Sequence, residues 1–411
     1  MVNDGRNWLS YETFINYRHL CQAAKIMKKG TDNTLSLSED FDLICLSHLR
    51  WDFVYQRPQH LLSRFAKNRR VFFFEEPVFV DGETHLEISP REDNLFIVLP
   101  RISHADRDDK NVVDVQRELL DGLFDSHEIN DFVLWFYTPM AMDYAAHLQP
   151  QATVFDCMDE LSAFKFAPPE LVENERRLFE KADVVFTGGQ SLYEAKKHQH
   201  EQIFAFPSSI DAEHFRQARG ITEERAEQKS IPRPRFGYYG VIDERIDIRL
   251  LAEIADLRPD WQFVMVGPVV KISDEDLPRR ENIHYLGGKN YQELPAFLAG
   301  WDAAIMPFAI NESTRFISPT KTPEYLAAGK PVVSTAIRDV VRPYGEMNLV
   351  NIASTAEEFV AAGEKALKKN GAEKLAEIDE FLAQMSWDKT WRQMSDLIEE
   401  IVRKRFKSSA A

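Results

Sequence analysis

Short apolar runs, separated by stretches with helical spacing, constrain the fold of this chain more than any other feature. Runs at Phe41–Leu46, Val71–Phe74, Leu95–Leu99, Phe132–Tyr137, Thr153–Phe155 and Val184–Phe186 are each long enough for one strand and too short for a helix. Their side chains are apolar without alternation, as in strands covered on both faces, so a mostly parallel sheet with helices on either side is expected. The loop Ser47–Pro58 follows the first run, and a helix is expected from Gln59 to about Lys67. A second series comprises strands at Arg235–Tyr239, Gln262–Val266, Ile283–Leu286 and Ala303–Met306, with helices at about Arg245–Asp256 and Tyr291–Ala299. Ile246, Leu250 and Ile254 recur every fourth residue on one helix face. The polar stretch Arg216–Pro234 between the two series reads as a boundary.

The expected architecture is therefore α/β, with two consecutive doubly wound domains at 39–209 and 235–385 joined by a linker at 210–234. Residues 1–38 form an N-terminal extension with a helix around Tyr11–Lys29, and 386–411 form a closing helix with a basic tail. In that helix Ser386 is placed to cap, and Trp387, Trp391, Met394, Ile398 and Ile401 share the packing face.

With 50 lysines and arginines against 66 acids, the net charge is −16, which disfavours a nucleic-acid partner. Positive charge gathers at Arg18, Lys25, Lys28 and Lys29 and again at Arg403, Lys404, Arg405 and Lys407. Solvated helix faces account for such runs, and peripheral contact with an anionic membrane is the second reading. The polar start Met1–Ser10 lacks a signal-peptide apolar region, and no stretch reaches the ~18 apolar residues of a spanning helix. Cys21, Cys45 and Cys157 have no metal-ligand spacing, and their odd number argues against a disulfide framework, so a cytoplasmic location is expected.

The stretch Ile317–Val333 carries the most chemistry. Thr322 is expected to cap a short helix with Pro323 at its first position, and Gly329 to stop it. Unsatisfied N–H groups and partial positive charge at such a start suit a phosphate, and Lys321 stands beside it with the hydroxyls of Ser318 and Thr320. Together they suit a diphosphate without a metal. Glu324, in the first turn, has a carboxylate able to accept from two adjacent ribose hydroxyls; the competing reading is a capping acid beside a solvated lysine. Phe236–Gly240 puts a glycine at a strand end, with Arg245 nearby, and Gly267–Pro268 and Gly287–Lys289 repeat that pattern. Gly240, Gly267 and Gly288 thus line a candidate ligand cleft.

Ser318–Val333, with Phe179–Phe186 and Pro207–Asp211, resembles the GT-B superfamily, in particular the group 1, family-4-like glycosyltransferases of bacterial polysaccharide assembly, over roughly residues 41–400. The resemblance implies two Rossmann-like domains facing each other, a nucleotide-sugar donor in the C-terminal one, and a final helix crossing back to the N-terminal one. That family carries two glutamates separated by seven residues. Glu324 matches the second, and Phe316 stands at the first. Val241 takes the place of the arginine that follows the domain's first glycine, and Arg245 lies near the place of the lysine.

Glycosyl transfer places positive charge on the sugar ring, so a carboxylate there can stabilise it or deprotonate the incoming hydroxyl. Val154–Glu160 delivers Asp156 and Asp159 just past a strand, and these are the catalytic candidates, with capping of the next segment as the alternative. Asp156 stands where retaining relatives carry a histidine, which tilts the expectation towards inversion. The loop Ser47–His60 supplies His48, Arg50, Trp51, Arg57, Gln59 and His60 as a wall for a saccharide or lipid-linked acceptor. A hexosyltransferase using a UDP-sugar, with no cofactor and no metal, is expected. Asp106–Asp108 and Asp274–Asp276 fit an Asp-x-Asp metal pair but lie in charged, exposed stretches. A nucleotide-sugar epimerase and a non-catalytic carbohydrate-binding protein are the alternatives.

Overall fold

The computed structural model describes residues 41–368 and 371–409. The expected helix at Tyr11–Lys29, its basic cluster and Cys21 lie outside them. Among the described residues the first lobe is built on β1 (Asp42–Leu46), β2 (Val71–Phe74), β3 (Val78–Val80), β4 (His85–Glu92), β5 (Leu95–Ser103), β6 (Phe132–Phe136), β7 (Ala152–Cys157), β8 (Val184–Thr187) and β9 (Ile203–Ala205). They lie in the order β3-β5-β2-β1-β6-β7-β8-β9, with β4 on β5. Only the β4–β5 pairing is antiparallel. The central strands VFFF and FVLWF are fully buried, as continuous apolar runs between helical layers must be. β3, β4 and β9 have no counterpart among the expected strands. β4, HLEISPRE, is polar and partly exposed because it sits at the sheet edge, where a proline costs no ladder hydrogen bond.

The second lobe has β10 (Arg235–Tyr239), β11 (Gln262–Val266), β12 (Ile283–Tyr285), β13 (Ala303–Met306), β14 (Val332–Ser334) and β15 (Asn351–Ile352), all parallel. Their order is β12-β11-β10-β13-β14-β15. Strand order reverses between β1 and β6 in one lobe and between β10 and β13 in the other, and the crevices beyond the carboxyl ends of such pairs are where open α/β sheets take ligands. The helix after β10 begins at Ile248, capped by Asp247, which accepts from the Leu250 N–H at 2.8 Å. Tyr291–Glu293, expected to open a helix, is a 3-10 turn leading into helix Leu294–Ala299. The segment expected as linker buries Ile210, Phe215, Ala218 and Ile231 in the second lobe's core.

The closing helix Trp387–Ser409 crosses back to the first lobe. Ser386 Oγ accepts from the Lys389 N–H at 3.2 Å, and Trp387, Met394, Ile398 and Val402 complete a core shared with Leu61, Phe65 and Trp135. Arg64–Asp388 (2.7 Å) and Arg405–Asp183 (2.8 Å) pin its two ends. The lobes also meet where Asp339 Oδ1 accepts from the Ser191 N–H (3.0 Å) at the start of helix Gln190–Lys196. Nearby, Ser208 Oγ donates to the Ser318 carbonyl (2.6 Å). No described helix is long and apolar enough to cross a membrane.

Candidate active site

A cleft of about 810 Å³ opens between the lobes, lined on one side by Trp51–Gln56 and Gln59 and on the other by the loops after β10, β11 and β12 and the start of helix Lys321–Ala327. The three loops interlock: the Gly240 N–H donates to the Val266 carbonyl (2.8 Å) and the Gly267 N–H to the Gly287 carbonyl (2.9 Å). Gly240 (φ 132°) and Gly267 (φ 153°) adopt backbone that side chains disfavour. A Cβ on Gly240 would meet Lys321 Cε at 2.3 Å, and one on Gly267 would meet the Gly240 oxygen at 1.9 Å. The glycines thus let the lysine lie directly over the strand end.

Lys321 has no hydrogen-bond or ion-pair partner among the described residues; its ammonium stands 5.6 Å from the Tyr238 ring centre. Burial brings it down to about 8, with the neighbouring Arg245 charge adding to the effect. Arg245 is clamped by Asp243 (Nη2–Oδ2 2.7 Å), which leaves the rest of its guanidinium to the cleft. Behind them Glu324, 5% exposed, accepts a hydrogen bond from the Tyr239 hydroxyl, and burial pushes its carboxyl up to about 7. Helix Lys321–Ala327 begins two residues earlier than expected, so Thr320, not Thr322, is the cap position. Thr322 is buried, its hydroxyl 3.6 Å from Met306 Sδ.

From the first lobe, Asp159 comes under the fields of Arg245, Arg57 and Lys321, which oppose the burial that raises its carboxyl to about 6. Asp156 does not share that position. It is fully buried, and Arg57 Nε and Nη2 hold both its oxygens at 2.8 to 3.1 Å, while Arg57 Nη1 donates to the Phe206 carbonyl (2.7 Å). A base needs a free lone pair facing the acceptor, so the expectation that Asp156 abstracts a proton is corrected to a structural ion pair. Arg57, 3% exposed, is taken out of the acceptor wall by the same pair.

Gly240, Arg245, Gly267, Gly288, Thr320, Lys321 and Glu324 all line the cleft. Ser318 does not: its Cβ sits 3.0 Å from where a Cβ on Gly189 would be, at the lobe junction. Of the acceptor candidates, Trp51 and Gln59 line the cleft. Gln59 also braces the loop, donating to the Trp51 carbonyl (2.6 Å). Arg50 is bound to Glu75 (3.0 Å) and the Glu76 carbonyl (2.5 Å). His60 is buried and stacks flat on Trp387 at 4.5 Å. His48, with Nδ1 buried and unpartnered, is brought down to about 4 by burial and is neutral at pH 7. Arg50 braces the loop and His60 the crossing helix, and none of the three lines the cleft. Asp106 bonds Lys110 (2.8 Å) and Asp276 accepts from the Ser273 N–H (3.1 Å), so one acid of each Asp-x-Asp pair is engaged locally. Tyr55, Tyr239, Asn290 and Tyr291 line the cleft without having been singled out from sequence. For Tyr239 the signal was its place beside Gly240, whereas Tyr291 was absorbed into a helix.

Two doubly wound lobes, a ligand cleft between them and a last helix returning to the first lobe define the GT-B architecture. Residues 233–369 match the family described as Glycosyl transferases group 1. A Bacillus subtilis (strain 168) protein that bears the name of a teichuronic acid biosynthesis glycosyltransferase, TuaH, is 25% identical over 287 residues, covering 64% of this chain and 70% of that one. Among solved structures, sucrose-phosphate synthase from Thermosynechococcus elongatus superposes with a TM-score of 0.65 at 14% identity, over 89% of this chain and 100% of the other. A structure described as trehalose-6-phosphate from E. coli bound with UDP-2-fluoro glucose gives 0.63 at 12% identity, over 87% and 99%. The chain has the GT-B fold and is similar to the group 1 glycosyltransferases.

Proposed function

We propose that the protein transfers a hexose from a nucleotide-diphosphate sugar to a hydroxyl of a saccharide or lipid-linked acceptor in cell-surface polysaccharide synthesis. The polysaccharide assignment follows the name of the Bacillus relative, and UDP is favoured as carrier because a fold relative is described with UDP-2-fluoro glucose. The observation that carries the reading is Lys321: a half-buried ammonium with no partner among the described residues, over a strand-end glycine, in a cleft of about 810 Å³. A cation that no described carboxylate pairs with, in a cleft that size, fits a counter-charge supplied by a ligand.

In this reading the diphosphate lies on Lys321 and Arg245, and Glu324 accepts from the ribose hydroxyls. As the acceptor oxygen bonds to the anomeric carbon, the bond to the diphosphate oxygen breaks, and Lys321 and Arg245 neutralise the departing nucleoside diphosphate. Asp159 takes the acceptor's proton: with its carboxyl at about 6 it is mostly ionised at pH 7 yet more basic than an exposed aspartate. Direct displacement with that base inverts the anomeric configuration. The charge assignment dispenses with a divalent ion, so turnover should persist in EDTA. The enzyme would work in the cytoplasm, meeting a lipid-linked acceptor at the membrane surface.

Thermal-shift titration with UDP, GDP, ADP and their sugars tests the donor site. At least one nucleotide should raise the melting temperature, and Lys321→Ala should abolish the rise. No shift with any of them, or a shift that Lys321→Ala leaves intact, would overturn the reading.

A further inference from the structure

Tyr291 enters the cleft as an unusually constrained side chain. His214 stacks on its ring at 4.3 Å and 11°, and Tyr55, from the other lobe, stacks at 4.5 Å and 27°. Phe215 and His60 meet it edge-on at 5.6 and 5.5 Å. Its own carbonyl is 3.1 Å from His214 Nε2. Packing of this kind aims the hydroxyl in one direction, yet that hydroxyl is buried without a hydrogen-bond partner. Buried hydroxyls ordinarily find partners, and one left without costs stability.

Tyr291 and Glu324 line the same cleft. Burial holds the Tyr291 hydroxyl above its ordinary range, with the Glu324 charge adding to the effect, and the Tyr239 hydroxyl donates to Glu324 Oε2. Glu324 Oε1 takes no donor from the described residues. Glu324 thus has one tyrosine donor, and a second tyrosine of the same cleft carries an unpartnered hydroxyl.

A carboxylate that accepts from ribose hydroxyls consumes their protons and leaves their oxygens as acceptors in need of a donor. Resting on the donor site proposed above, we propose that Tyr291 is a nucleoside-reading residue: its hydroxyl donates to a ribose oxygen whose own proton is held by Glu324. The aromatic sandwich, half of it supplied by Tyr55 of the first lobe, holds that donor in place before the nucleotide arrives. The position then discriminates ribonucleotides from deoxyribonucleotides, since a sugar lacking that hydroxyl leaves Tyr291 unpaired as in the free enzyme.

The experiment is calorimetric titration of the full chain and its Tyr291→Phe variant. The probes are whichever of UDP, GDP and ADP gives the largest thermal shift, and the 2′-deoxy and 3′-deoxy forms of that nucleotide. Tyr291→Phe should weaken the ribonucleotide by about 3- to 10-fold, the worth of one neutral hydrogen bond. For one of the two deoxy forms the difference between the proteins should vanish. Without ligand the variant should melt at the same temperature as the parent or higher, because it loses only an unsatisfied group. Equal binding of all three nucleotides by both proteins, or an equal loss across all three, would overturn the inference, as would a lower melting temperature of the free variant. Binding that depends on Lys321 but not on the Tyr291 hydroxyl would defeat this inference alone. If no nucleotide binds the parent, the donor site itself fails and this inference with it.

Discussion

Glu324 and Lys321 are displaced from their ordinary titration ranges in opposite directions by the same burial, and the nucleotide binding proposed above needs both charged. Glu324 ionises above about 7 and Lys321 is protonated below about 8, so affinity for UDP should peak between these values and fall on either side; titration calorimetry from pH 6 to 9 reads this directly. The stability of the free protein follows from the same shift. Glu324 in the folded state holds its proton up to about 7, against 4.5 in the unfolded chain. The folded form therefore binds the extra proton between those values, and stability falls as pH rises through them. Glu324→Gln should raise the stability of the free protein at pH 8, by at most roughly 3 kcal/mol, with no gain left at pH 4. Equal melting temperatures of the two proteins at pH 8 would contradict this. These residues were legible in the sequence because a helix start is local: the proline, the glycine stop and the lysine lie within a dozen residues of one another. Asp156 was misread because its partner Arg57 is 99 residues away, and nothing near Asp156 announces it.

At the scale of elements, that ion pair ties the first turn of helix Arg57–Phe65 to the end of β7, with side chains 3% and 0% exposed. Removing one partner strands the other charge in the interior. Arg57→Ala or Asp156→Ala should each cost about 3–5 kcal/mol in urea unfolding, and the Arg57→Met, Asp156→Leu double variant less than the sum. Asp156→Asn with undiminished stability but lost turnover would return Asp156 to the chemistry. The strands themselves were legible wherever burial on both faces forces a continuous apolar run, as at Val71–Phe74 and Gln262–Val266. β4 escaped because an edge strand is exempt from that demand. The turn at Tyr291 escaped because a 3-10 segment ahead of a helix shares its apolar spacing. The glycine-bearing strand ends signalled a cleft by their repetition, whereas the aromatic wall across it joins both lobes and has no local signature.

The whole molecule is held together by a helix that leaves one lobe to finish the other. Deleting residues from Ser386 onward would uncover Leu61, Phe65 and Trp135 and break the Arg64–Asp388 pair. Hydrogen exchange should then show lost protection in β1, β2, β6 and β7, with β10 to β14 retained; uniform retention would mean the helix is an accessory. The same topology dictates an order of events on the ribosome. The first lobe's strands emerge roughly 200 residues before the helix that seals them, a wait of about 10–40 s at ordinary elongation speeds. During that interval its apolar flank is open to chaperones, while the second lobe, made later, is the first to be complete.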